Sequence, residues 1–201
     1  VSEADVTLHY EDSEPLHISP VTLTLIKQPD GKYGDLQGKA FISGLNTAVS
    51  LDSEIEMKTF GFEKIHFDVS PIDLGSASSK YPLSLLKLTQ LQGACSLSMD
   101  MERKDKGNDM VLQAEVLLDN FSLRSETLGI DFGDSPLKIS AKGRYSARMD
   151  SLEIESASAD LAGLNILKLH GTIGHISAGP PDMRITANMN NIPLKKIKGL
   201  L

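Results

Sequence analysis

The stretch from Leu137 to Met149 constrains the fold more than any other part of the chain. Its odd positions are Leu137, Ile139, Ala141, Gly143, Tyr145, Ala147 and Met149. Its even positions are Lys138, Ser140, Lys142, Arg144, Ser146 and Arg148. Successive side chains of a β-strand point to opposite faces, so this pattern predicts a long strand with one apolar and one wet face. A helix would scatter the same residues around its circumference.

The same alternation recurs along the chain. It appears at Val6, Leu8 and Tyr10, at Val21, Leu23 and Leu25, and from about Leu36 to Ser43. Val49, Leu51, Ile55 and Met57 alternate with Asp52, Glu54, Glu56 and Lys58, and Phe60, Phe62, Ile65, Phe67 and Val69 form the next run. Further runs are Leu97 to Met101, Val111 to Asn120 continuing to Leu123, Leu152 to Glu155, Leu164 to Ile173, and Met183 to Met189. Turn residues separate them. Gln28, Pro29, Asp30 and Gly31 predict a hairpin, because Pro presets φ and Gly accepts φ > 0. Gly75 to Ser79 reads as a loop, Arg103 to Asp109 as a charged tip and Gly179 to Asp182 as a turn. Leu83 to Leu91 suits either a short helix or a strand, and Leu194 to Leu201 switches to helical spacing. The expected fold is therefore all-β: an antiparallel meander forming a curved or elongated repeat sheet with at most short helices, in a single β-rich domain over 1–201.

A chain of 201 residues can bury a sizeable core. Its net charge of −7 argues against a nucleic-acid partner and against adsorption of the whole body onto anionic lipid. Aromatic residues are 5% with no Trp, thin for a binder that works by stacking. Cys95 is the single cysteine, so no intrachain disulfide forms. No run is apolar enough to span a bilayer as a helix, and the first residues, Val1 to Asp5, lack the pattern of a signal peptide.

Three stretches open alike: Leu36-Gln37-Gly38, Leu91-Gln92-Gly93 and Leu169-His170-Gly171. Three close alike, as an apolar residue, two small or polar residues, an apolar residue, a polar residue and leucine. These run from Val69 to Leu74, from Leu118 to Leu123 and from Met189 to Leu194. Matching ends in the same order predict a diverged repeat whose units stack to bury a shared face.

The segments Leu152 to Glu155 and Ala159 to Gly171, with the ending Asn188 to Leu201, resemble the AsmA-like proteins of Gram-negative envelopes. The resemblance is best from about Leu91 onward and rests on cadence rather than an invariant motif. It implies a periplasmic module of a longer protein anchored to the inner membrane. It also implies a long curved sheet whose apolar concave groove carries phospholipid between inner and outer membranes or supports outer-membrane biogenesis. The chain departs from the family in its shortness and in lacking an amino-terminal membrane anchor. The partner implied is a phospholipid or other acyl-chain ligand. The groove candidates are Leu137, Ile139, Tyr145, Met149, Leu167, Leu169, Ile173, Met183, Ile185 and Met189. Each methylene buried there would contribute about 0.8 kcal/mol. The competing expectation is a secreted or surface β-sandwich with a dry core that binds another protein.

No catalytic, cofactor or metal site is expected. Phe132-Gly133-Asp134-Ser135 matches the nucleophile block of GDSL esterases, but no aspartate stands three residues before His170 or His175. Gly133 to Pro136 reads instead as a turn leading into the central strand. Glu54 with Glu56 and Glu153 with Glu155 fall on the wet face of their strands. The five histidines are dispersed without cysteine partners. At the tail, Leu194, Ile197, Leu200 and Leu201 share a helical face beside Lys195, Lys196 and Lys198, which suits a capping helix or a membrane contact.

Overall fold

The computed structural model describes residues 2–8, 16–80, 89–104, 109–125, 127, 130–177 and 180–189. The segment 83–88, which suited either a short helix or a strand, and the helically spaced tail 194–201 lie outside these, as do the tip 105–108 and most of the third closing motif.

Alternation becomes strand wherever a turn lets the chain fold back on itself. Among the described residues eleven strands result: β1 (Ser2–Leu8), β2 (Leu16–Lys27), β3 (Tyr33–Ile42), β4 (Thr47–Glu56), β5 (Gly61–Asp73) and β6 (Gln90–Arg103), then β7 (Asp109–Ser125), β8 (Ile130–Ser146), β9 (Ser151–Leu161), β10 (Leu164–Gly174) and β11 (Asp182–Met189). They form one antiparallel sheet in chain order, with β1 and β11 at opposite edges, so the sheet is an open meander and not a barrel. The β2–β3 turn is built as its residues predict. Gly31 takes φ +67°, and Asp30 Oδ1 accepts the backbone N–H groups of Lys32 and Tyr33 at 2.9 and 3.3 Å. Ala162 and Gly163, both at positive φ, make the two-residue turn between β9 and β10.

Two local expectations are corrected. Residues 75–79 are not a loop but part of α1 (Leu74–Lys80). Asp73 caps this helix: its Oδ1 accepts Gly75 N–H at 2.9 Å and Ser76 N–H at 3.3 Å, and Ser76 Oγ donates to Oδ2 at 2.7 Å. These bonds, led by that of the Ser76 hydroxyl, hold the Asp73 carboxyl below its ordinary pKa. Gly133 to Pro136, expected as a turn, lies inside β8, which begins at Ile130 and ends at Ser146 rather than at Met149. Ser135 stands opposite Phe121 and is only 3% exposed. Non-local pairing with β7 keeps these turn-forming residues extended.

The closing motifs mark bulges. Val69 and Ile72 face Leu97 and Cys95, three steps on β5 against two on β6. Leu118 and Phe121 likewise face Leu137 and Ser135. One extra residue lets apolar residues three apart share a face, and it bends and twists the strand. Ile18 to Val21 on β2 and Ile154 to Ala157 on β9 do the same. Gly93 and Gly171, from two of the opening motifs, sit opposite the bulges of β7 and β9. Gly93 has φ +118°, and a Cβ there would stand 2.7 Å from the Asp119 carbonyl oxygen. Gly38, from the remaining opening motif, lies in unbroken register with Leu23 and Leu51. The openings are therefore equivalent in two units and different in the first.

Candidate functional site

Register turns eleven separate alternations into one surface. A transverse line of paired residues runs Leu25, Leu36, Ser53, Ile65, Met101, Leu112, Gly143, Ile154, Gly171 and Ile185. A second runs Leu51, Phe67, Met99, Ala114, Ala141, Ala157, Leu169 and Ala187. All belong to one face. The bulges preserve it, because each shifts the register without moving an apolar residue to the other side.

Nine of the ten groove candidates lie on this face. Leu137 pairs with Leu118 and Leu161, and Ile139 with Val116 and Ala159. Tyr145 pairs with Met110 and Leu152. Leu167, Leu169 and Ile173 on β10 face Met189, Ala187 and Met183 on β11, and Ile185 faces Gly171. Met149 is the exception. It lies in the turn between β8 and β9 and is 71% exposed, because the chain reverses before reaching it. Equivalent residues on β4 to β7, including Phe67, Met99, Met101, Leu112 and Val116, belong to the same surface and were not among the candidates. Their signal was present: in a meander with matched registers, every strand's apolar set faces the same way.

Nothing among the described residues covers this face as a second sheet would. Strands contact only their neighbours to any extent, and α1 packs mainly on β6. Among the described residues the buried apolar side chains are few: Ile55, Phe121 and Leu161. Leu23, Leu25, Ile139, Met183 and Ile185 are 39–57% exposed. The accessible surface is 13149 Å², against about 9,300 Å² expected for a compact monomer of this mass. The dry two-sheet core expected of a sandwich is not what these residues form.

The opposite face carries Gln37, Asp52, His66, Asp100, Gln113 and Lys142 in register. Ion pairs tie neighbouring strands there: Lys138 to Glu115 at 2.5 Å and Lys142 to Glu155 at 3.0 Å. His66 lies between two carboxylates, Nδ1 at 2.7 Å from Asp100 and Nε2 at 2.5 Å from Asp68, and the Asp100 hydrogen bond leads in raising its pKa. A shallow hollow of about 520 Å³ opens among these strands, lined by Asp52, Glu54, Lys64, His66, Asp100 and Glu102 together with Leu36, Ile65 and Met101. The apolar face as a whole is a broad stripe.

No group of three or more His, Cys, Asp or Glu side chains among the described residues is placed to hold a metal ion. Cys95 is half-buried between Ile72 and Leu118, and burial pushes its thiol pKa up. Among the described residues β1 and β11 are the edge strands, each paired on one side only. Comparison with protein-family models, curated proteins and solved structures gives no match.

Proposed function

We propose that this chain is a non-enzymatic module of a Gram-negative envelope protein whose apolar sheet face shelters acyl chains, in phospholipid transfer between the inner and outer membranes or in outer-membrane biogenesis. The observation that carries the proposal is an apolar face that no second layer of the described residues covers, kept continuous from β2 to β11 through a series of bulges. A large contiguous apolar surface on a folded chain marks a binding site. The AsmA-like cadence of the region from Leu91 onward supports a lipid ligand and a periplasmic location with an inner-membrane anchor elsewhere in the protein. The polar face, knitted by ion pairs, stays in water while acyl methylenes replace water on the other.

The test is native mass spectrometry of the chain after incubation with phospholipid vesicles, with the bound lipid extracted and identified. Phospholipid adducts are expected on the wild type. Ile139→Asp and Leu169→Asp place a charge on the face and are expected to remove the adducts while circular dichroism stays that of the β-sheet. A wild-type chain that stays lipid-free at every vesicle concentration would overturn the proposal.

A further inference from the structure

The apolar face has a charged border. Arg103 ends β6 and follows Met99 and Met101 on that face, in register with Met110. Its Nη1 donates to Glu63 Oε1 at 3.1 Å, and both side chains are one-quarter exposed. Glu63 is the extra residue where β5 bulges against β4, between Phe62, which pairs with Ile55, and Lys64, which pairs with Glu54. The bulge turns a carboxylate toward the apolar side at the end of the strand. The guanidinium lies against Gly61, where an added Cβ would stand 2.9 Å from Nη2. Arg103 Nε is enclosed and has no hydrogen-bond partner among the described residues, so a ligand oxygen would meet the guanidinium through its other N–H groups, on a side chain one-quarter exposed.

We infer that Arg103 and Glu63 form the headgroup end of the lipid-binding face, with Arg103 taking the phosphate of an amine-bearing zwitterionic phospholipid and Glu63 its ammonium. This rests on the acyl-binding reading above. An acyl chain on the apolar stripe leaves its phosphate where the strands end, and guanidinium is the side chain best matched to phosphate oxygens. The pair presents one cation and one anion side by side, the charge pattern of a phosphoethanolamine headgroup. An anionic phosphoglycerol headgroup would meet the Glu63 carboxylate with no cation to offer it, in a chain already at −7. A quaternary ammonium would bring the charge without N–H donors for Glu63.

The test is native mass spectrometry of the full chain incubated with vesicles of equimolar phosphatidylethanolamine and phosphatidylglycerol, reading the ratio of the two lipids bound. The wild type is expected to favour phosphatidylethanolamine at least threefold. Arg103→Gln and Glu63→Gln are expected to bring the ratio to near one. The exchange Glu63→Arg with Arg103→Glu keeps the ion pair but reverses its direction, and is expected to restore folding stability without restoring the ratio. A wild-type ratio retained in Arg103→Gln, or restored in the exchange, would make the pair only a tie between β5 and β6 and overturn the inference while the acyl-binding reading stands. Absence of both lipids from the wild type would overturn this inference and the acyl-binding reading together.

Discussion

The two faces of this sheet are made from alternate residues of the same strands, yet they meet the same solvent in opposite ways. On the polar face several charges find cross-strand partners, as Lys138 finds Glu115 and His66 finds Asp100. That face is complete when the strands pair. On the apolar face Leu23, Leu25 and Ile139 remain more than one-third exposed after every strand has found its neighbours. Hydrophobic burial needs a second layer, whereas ion pairing needs only the adjacent strand. The contrast teaches that the polar side is satisfied within the sheet but the apolar side is not, and the proposed acyl ligand rests on that imbalance.

The comparison can be sharpened within the apolar face itself. Leu161→Ala, at one of the few buried positions, is expected to cost about 3 kcal/mol in urea unfolding. Leu23→Ala on the same face, 44% exposed, is expected to cost less than about 1 kcal/mol. Equal losses would mean that the face is covered in solution.

Gly171→Ala tests how the face is held at its β11 end. An added Cβ would stand 2.1 Å from the Arg184 carbonyl oxygen and 2.8 Å from Ile185 Cα, at a φ of +156°. A loss of about 2 kcal/mol is expected. Amide hydrogen exchange should show β11 opening first, since that edge strand is exposed at every position. Unchanged protection of β11 would show that the two strands separate there without cost.

On the polar face the effects shrink. Lys142→Ala removes a pair with Glu155 whose lysine is 49% exposed, and is expected to change stability by at most about 0.5 kcal/mol at moderate salt. A larger loss would show that the polar face carries more of the stability than its exposure allows.

The smallest effect is one of pH. The folded-state pKa of His66 is raised, so its stabilisation is fully present below the ordinary histidine value and is lost as pH rises through the raised one. Because His66 and its partners are well exposed, the melting temperature of the wild type is expected to fall by only about 1–2 °C more than that of His66→Gln between pH 5.5 and pH 8.5. Identical pH profiles would mean that the two carboxylates do not hold the imidazolium in solution.

Much of the fold was legible in the residues. Period-two alternation marked nearly every strand, and the spacing of turn residues marked the meander. The misses have local causes overridden or completed at a distance. Gly133 to Pro136 has turn chemistry, but β7 pairs with it and draws it into β8. Leu74 to Lys80 has weak helical pattern, and the signal overlooked was Asp73 as a cap. The closing motif was visible as a repeat, but its meaning as a bulge appears only when the partner strand is counted beside it. For the site, nine of ten candidates share the apolar face because alternation is inherited by the sheet, while Met149 lies in the turn that follows the strand.

The residue pattern by itself determined that the chain makes strands, that each has one apolar side, and that short turns lay them antiparallel in order. Only the tertiary structure decided the register across β1 to β11, the bulges that keep the apolar sides together, and the meeting of Glu63 with Arg103 across the β5–β6 pair. It also decided that no second sheet of the described residues covers the apolar face. The physical reason is range. Alternation records which residues share a side of their own strand, whereas cover, register and cross-strand pairs depend on contacts between residues far apart in the chain.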